Sequence, residues 1–303
     1  MTSPHAIDAH AASSSALATG IATATAERTP VPTTVLMCSP RYFDVLYAIN
    51  PWMDPTVPTD TALAVEQWNE LRNTYTDLGI VVHEIDPVEG LPDMVYAANG
   101  ATVVDSIAYT ASFRFPERQP EGDAYAAWLR DHGFRVVEAT AVNEGEGDFL
   151  VVGDVILAGT GFRSTLASHR ELAEVFNREV VTLVLARPEY YHLDTALAVL
   201  DARPGHEQIA YLPSAFSPDA RAELERRYPN AIIVDEDEAA MLGLNIVSNG
   251  RDVIMPARAE RFAEALRERG FNPVGVNLSE LLKGGGGVKC CTLALRFSEN
   301  EGD

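Results

Sequence analysis

Residues 257–278 read ARAERFAEALRERGFNPVGVNL. The stretch Ala257–Arg269 carries a helical pattern, and Gly270 stands where a helix ends in left-handed backbone. A short β-rich run follows at once. The same succession recurs along the chain: Ala64–Leu78 then GIVVHEID, Asp123–His132 then GFRVVEA, Ser168–Phe176 then NREVVTLVL, and Pro218–Tyr228 then PNAIIVDE. Gly79, Gly133, Asn177, Asn230 and Gly270 sit at or beside the helix stops, and Ser217-Pro218 supplies an N-cap with proline at the first helical position. Further β-rich runs fill the gaps: TTVLMCSP, ATVVDSIAYTASF, FLVVGDVILAGTG, QIAYLP, NIVSNGRDVIMPA and VKCCTLALRF. The junctions recur roughly every 40 to 55 residues, about one supersecondary unit each. Five such units suggest a closed, pseudo-symmetric α/β arrangement; an open α/β sheet of the same composition would show the same periodicity.

The chain has 303 residues, 47% hydrophobic and 22% charged, enough for one large core or two modest ones. No linker-like stretch divides residues 34–298, which reads as a single domain. Residues 1–33, rich in Ala, Ser and Thr, read as a mobile tail without the basic and apolar regions of a secretory signal, and residues 299–303 as an acidic tail. The formal net charge of -21 argues against nucleic acid or an anionic membrane surface as partner and suits a small cationic substrate. No run approaches the roughly 18 apolar residues of a membrane span. Three cysteines, two of them adjacent, make no disulfide framework, and no Cys/His set has zinc-ligand spacing. The expectation is a reducing, cytoplasmic compartment and no metal. A homo-oligomer is compatible with all of this.

Several stretches could do chemistry. Four consecutive glycines, Gly284 to Gly287, precede Cys290 and Cys291 and let main chain approach a ligand closely. In Tyr191-His192-Leu193-Asp194-Thr195 an extended chain would turn His192 and Asp194 to one side, an acid/base group beside a carboxylate. Asn143-Glu144-Gly145-Glu146-Gly147-Asp148 interleaves three carboxylates with glycines; a guanidinium, whose flat fork of donors matches carboxylates, would satisfy it, and so would a solvated acidic turn. Asp93 and Asn99 lie in Gly90–Gly100, and Asn50 in Ile49-Asn50-Pro51-Trp52, both also readable as turns. Arg114, Arg118 and Arg163 stand in β–turn settings where any could hold a carboxylate. Neither GGGGVK nor any other glycine run matches a nucleotide motif.

In chain order Glu144-Gly145-Glu146-Gly147-Asp148, His192-Leu193-Asp194-Thr195 and the glycine run leading to Cys290 resemble the guanidino-group modifying (pentein) superfamily, over about residues 34–297. Arg118, in Arg118-Gln119-Pro120-Glu121, is similar to an arginine of that family, and Arg163 is a looser match. The resemblance implies a five-fold pseudo-symmetric α/β propeller of ββαβ repeats around a channel, and needs no cofactor. It makes Cys290 the nucleophile with Cys291 as alternative, His192 the general acid and base, and Glu144 (or Glu146) with Asp194 the grip on the guanidinium. Asn99, Asn50, Arg114, Arg118, Arg163 and Asp93 become substrate-binding candidates. Where deiminases of the family carry an aspartate, this chain has Asn99 in Tyr96-Ala97-Ala98-Asn99-Gly100; together with Asn50 this is similar to arginine dihydrolases. The expected activity is therefore a cysteine-dependent guanidino hydrolase, leaning to arginine dihydrolase. Dimethylargininase, arginine deiminase, amidinotransferase and a non-catalytic relative are the other readings.

Overall fold

The computed structural model describes residues 28–298. The first unit is β1 (Thr34–Cys38), α1 (Thr61–Asp77) and β2 (Val81–Ile85). The second is β3 (Ala101–Val104), β4 (Ile107–Thr110), α2 (Gln119–Asp131) and β5 (Arg135–Val137). The third is β6 (Phe149–Val152), β7 (Val155–Thr160), α3 (Leu166–Phe176) and β8 (Glu179–Val184). The fourth opens with a single helical turn, α4 (Leu193–Ala196), and continues through β9 (Leu197–Asp201), β10 (Gln208–Tyr211), α5 (Pro218–Arg227) and β11 (Ile232–Ile233). The fifth opens with α6 (Glu236–Ala239) and holds β12 (Val247–Ser248), β13 (Asp252–Pro256), α7 (Glu260–Glu268) and β14 (Asn272–Val276); β15 (Leu293–Ala294) ends the chain of elements.

These strands make five three-stranded sheets: β3-β4-β5, β6-β7-β8, β9-β10-β11, β12-β13-β14 and β15-β1-β2. In each, the middle strand pairs antiparallel with the strand before it and, across a helix, parallel with the strand after it. The unit that begins the chain thus takes its first strand from the end of the chain, and the ring closes. Neighbouring units meet through their first strands, β3 beside β15, β6 beside β9 and β9 beside β12. The result is the five-fold α/β propeller of ββαβ units that the family resemblance implied; the open sheet that the periodicity also allowed is ruled out by the pairing of β15 with β1.

Burial explains the roles of the strands. In β7, Ile156, Leu157 and Ala158 are all buried, as expected for a strand covered on both faces. The outer strand β8 alternates instead, with Val181 and Leu183 inward and Val184 exposed. Helix ends follow local chemistry. Asp60, Thr165 and Ser217 accept the N–H three residues on. Gly79, Gly133, Asn177 and Gly270 adopt positive φ just after their helices. Asn230 does not, because α5 already stops at Arg227, with Tyr228 at negative φ as its C-cap.

Two expectations change. Of VKCCTLALRF only Leu293–Ala294 is strand; residues 287–292 curl into a turn through Cys291 N–H to Gly287 O and Thr292 N–H to Lys289 O. Residues 28–33, expected within the tail, pack on the domain. The Arg28 guanidinium lies 3.5 Å over the Phe271 ring and Val31 N–H donates to Asn249 O at 2.7 Å. The expected tails at 1–27 and 299–303 lie outside the described residues. Among the described residues no helix is long and apolar enough to cross a membrane.

Leu293, fully buried in β15, tests the ring closure. Leu293→Ala is expected to cost about 2–5 kcal/mol in denaturant unfolding. Val81→Ala on the exposed face of β2 should change stability by less than about 0.5 kcal/mol. Equal effects would contradict closure through β15.

Candidate active site

The turn 284–292 is shaped by close approach. A Cβ on Gly286 would lie 2.3 Å from the Tyr96 ring and 3.0 Å from Cys290 Cβ, and Gly285 has φ +86. Only glycine lets this backbone lie flat on Tyr96. Asn50 anchors the same loop, donating to Gly284 O at 3.0 Å, and Tyr191 O–H donates to Gly285 O at 2.9 Å. The turn leaves Cys290 2% exposed, with its thiol 3.3 Å from Asp194 Oδ2. Asn245, which the sequence reading did not single out, holds the cysteine from the other side. It accepts Cys290 N–H at 3.1 Å and donates to Sγ at 3.1 Å. Cys291 is fully buried in the hydrophobic core, and that burial pushes its thiol well up.

His192 is extended, but the chain then turns directly into α4, so Asp194 sits in a helical turn rather than in the extended strand expected. Asp148 enforces this entry: it accepts Leu193 N–H at 3.2 Å, and Ser164 N–H and Oγ–H at 3.1 and 2.6 Å. His192 Nε2 lies 2.8 Å from Glu144 Oε2, which also accepts from Arg163 at 2.7 Å. Arg163 in turn is stacked between the rings of Phe115 and Tyr191, at 4.7 and 4.6 Å, and donates to Ile49 O. Glu146 points elsewhere. It is bound by Lys289, Arg296 and Ala294 N–H, fastening β15 to the third unit.

On the second unit, Arg118 grips Glu121 through two donors and gives a third to Asn99 Oδ1 at 2.8 Å. The Asn99 amide nitrogen faces Glu144 O at 3.4 Å. A Cβ on Gly147 would fall 2.4 Å from that nitrogen and 3.1 Å from His192 Nδ1, so the two side chains converge over Gly147. Asp93 accepts from Tyr47 O–H at 3.0 Å and lies 3.9 Å from Arg118. Arg114 is exposed, apart from this buried set. The candidates share one place in the fold. Asn99, Glu144, His192 with Asp194, Asn245 and Cys290 each precede the first strand of a unit, namely β3, β6, β9, β12 and β15.

Electrostatics divides these acids. Burial raises Asp194 to about 7, despite Lys289 nearby. It also raises Asp93. Burial pushes Glu144 up too, but Arg163, His192 and Arg118 outweigh it and hold the carboxyl below the usual range. Burial and the adjacent Asp194 push the Cys290 thiol well up. Among the described residues six buried side-chain polar atoms lack a hydrogen-bond partner. Four are Asp93 Oδ1, Glu144 Oε1, His192 Nδ1 and Asp194 Oδ1. Buried acceptors of this kind cost free energy until a donor reaches them. A flat cation with several N–H groups is the chemical complement of this site.

The Asp194 carboxyl titrates near 3.8 in an unfolded chain and at about 7 in the fold. Between these values only the native state keeps the proton, so stability falls as pH rises through this window. Asp194→Asn escapes that loss. Its melting temperature relative to the parent should therefore rise from pH 4 to pH 7 without ligand, and a flat difference would contradict the raised carboxyl.

No protein-family model matches the chain. It is 52% identical over 270 residues to the N(G),N(G)-dimethylarginine dimethylaminohydrolase of Mycobacterium tuberculosis, covering 89% of this chain and 88% of that one. It is 38% identical over 266 residues to the bifunctional arginine dihydrolase/ornithine cyclodeaminase ArgZ of Synechocystis, covering 86% of this chain and 37% of that longer protein. The structure of the N-terminal domain of ArgZ, a cyanobacterial arginine dihydrolase, with bound substrate matches with a TM-score of 0.84 at 36% identity, over 88% of this chain and 98% of that one. With the ring closed and a cysteine, a histidine and half-matched carboxylates at its centre, the chain belongs to the guanidino-group modifying pentein superfamily and is a hydrolase of guanidino carbon–nitrogen bonds.

Proposed function

We propose that the substrate is free arginine and that both terminal nitrogens are removed, giving ornithine, carbon dioxide and two ammonia. The observation that carries this reading is the pair of unmatched acceptors, Glu144 Oε1 and Asp194 Oδ1. An arginine guanidinium brings five N–H donors. A dimethylated nitrogen brings none and leaves a buried acceptor unpaired, at about 1–3 kcal/mol.

The incoming cation stabilises the thiolate of Cys290, whose proton leaves the site, and holds the flat carbon before Sγ. Attack forms the S–C bond and a tetrahedral adduct. His192 Nδ1, the ring nitrogen without a partner, delivers a proton to the departing nitrogen, and ammonia leaves a thiouronium on Cys290. Neutral His192 then takes a proton from water, which adds to the carbon and breaks the S–C bond to give a bound ureido group. Asn99 matters at this stage: its amide nitrogen, with only a 3.4 Å contact to Glu144 O, can donate to a neutral ureido carbonyl where a carboxylate would repel it. A second thiolate attack expels the second ammonia. Water releases a carbamate, which falls to ornithine and carbon dioxide. Arg163 uses only two of its five donors internally, against four for Arg118, which makes it the stronger candidate for the amino-acid carboxylate.

The 52% identity to a protein named as a dimethylarginine dimethylaminohydrolase favours the second reading, release of dimethylamine from dimethylarginine. Arginine, citrulline, asymmetric dimethylarginine and agmatine assayed side by side separate the two. Ornithine with two ammonia per arginine is expected, with no turnover in Cys290→Ser and citrulline accumulating in Asn99→Asp. Dimethylamine as the main product would overturn arginine in favour of its methylated form. Citrulline as the end product of the parent enzyme would mark a deiminase, and a requirement for an added amine an amidinotransferase.

A further inference from the structure

The Asn245 amide makes three hydrogen bonds, and together they fix its orientation. Oδ1 accepts Cys290 N–H at 3.1 Å, and Nδ2 donates to the main-chain oxygen of Asp194 at 3.1 Å. A flipped amide would set N–H against N–H and oxygen against oxygen, so the partners themselves decide which end is which. The second N–H of Nδ2 is therefore the one aimed at Cys290 Sγ, 3.1 Å away. The residue is fully buried, and Gly287 leaves it room: a Cβ there would lie 3.0 Å from Asn245 Oδ1. Its place before β12 is the fifth-unit counterpart of Asn99, Glu144, His192 and Cys290, so each of the five units supplies at least one polar side chain from the segment before its first strand.

We infer that Asn245 is a positioning residue that holds the Cys290 sulfur between its amide and Asp194 and donates a hydrogen bond to the thiolate. The need for such a donor is physical. Burial and the adjacent Asp194 both push the thiol up, and among the described residues no cation touches it: Tyr96 packs on Gly286 beside Cys290, Tyr191 O–H holds Gly285 O, and the neighbouring Lys289 is paired with Glu146. Before a cation arrives, Asn245 and a backbone hydrogen bond from Gly287 are the neutral groups that favour the ionised sulfur. The same amide bridges Cys290 to Asp194, so the nucleophile and one carboxylate of the grip move as one body.

This role rests on Cys290 being the nucleophile, and the test separates the two claims. Alkylation by iodoacetamide is followed from pH 6 to 10 in the absence of substrate, with the labelled cysteine identified by mass spectrometry. Asn245→Asp keeps the acceptor for Cys290 N–H and the side-chain volume but removes the donor to sulfur. The inflection for Cys290 should move up by about one unit, so that labelling below it slows about tenfold. The kcat for guanidino hydrolysis should fall roughly 100-fold while KM changes little. Asn245→Ala, which adds no buried charge, should shift the inflection the same way and serves if the aspartate variant does not fold. An unchanged inflection on Cys290 in a variant whose melting temperature is preserved would overturn the role of Asn245. Labelling of Cys291 in place of Cys290 in the parent protein would overturn the nucleophile assignment instead.

Discussion

Carboxylates buried in the middle of a protein must be matched by cations, protons or N–H groups, and this requirement organises the structure. Some of the acids here are matched completely. Glu146 is held by Lys289, Arg296 and a backbone N–H, Glu121 by both arms of Arg118, and Asp148 by Ser164 and Leu193. Those acids are scaffolding: Glu146 and Asp148 tie together segments distant in sequence, and Glu121 fixes Arg118 three residues before it. Glu144, Asp194 and Asp93 are matched through one oxygen only. The difference between a satisfied and a half-satisfied carboxylate marks where scaffold ends and the proposed binding site begins.

The ring supplies the geometry that makes this arrangement affordable. Each unit buries its middle strand and presents, just before its first strand, a short irregular segment to one end of the axis. Segments of this kind can carry polar residues without disturbing a ladder, because their backbone is not committed to sheet pairing. Closure through β15 then brings Cys290 against Asp194 and Asn245, which precede it by 96 and 45 residues. A thiol that burial holds protonated and a carboxyl that burial raises are both poised to ionise when a cation enters. In the proposed mechanism, substrate charge is thereby part of the catalytic device.

Much of the fold was legible because its signals are local. Amphipathic helices, their glycine stops and the strands after them lie within a few residues of one another, and four of the five stop residues take the backbone that stops require. Features set by distant contacts were not legible. The strand β9 merges in sequence with the helical turn before it, β15 is two residues long, and the His192–Asp194 stretch bends because Asp148, more than forty residues earlier, captures Leu193 N–H. Adjacent carboxylates looked alike in the glycine-rich acidic loop; only the packing of Arg163 and His192 on one side and Lys289 and Arg296 on the other tells Glu144 from Glu146. Asn245 carries no local signal at all. In the sequence it is only the first residue of the β-rich run NIVSNGRDVIMPA, until the ring places it against Cys290.

The central claim is that a guanidinium cation completes the buried carboxylates and changes their protonation. Calorimetric titration of the Cys290→Ser protein with arginine at pH 6, in buffers of different ionisation enthalpy, measures the protons exchanged on binding. Asp194, raised to about 7 in the free protein, should release close to one proton as the cation binds, and Asp194→Asn should abolish that release. Binding of arginine with no proton release, or with the same release in Asp194→Asn, would contradict the account.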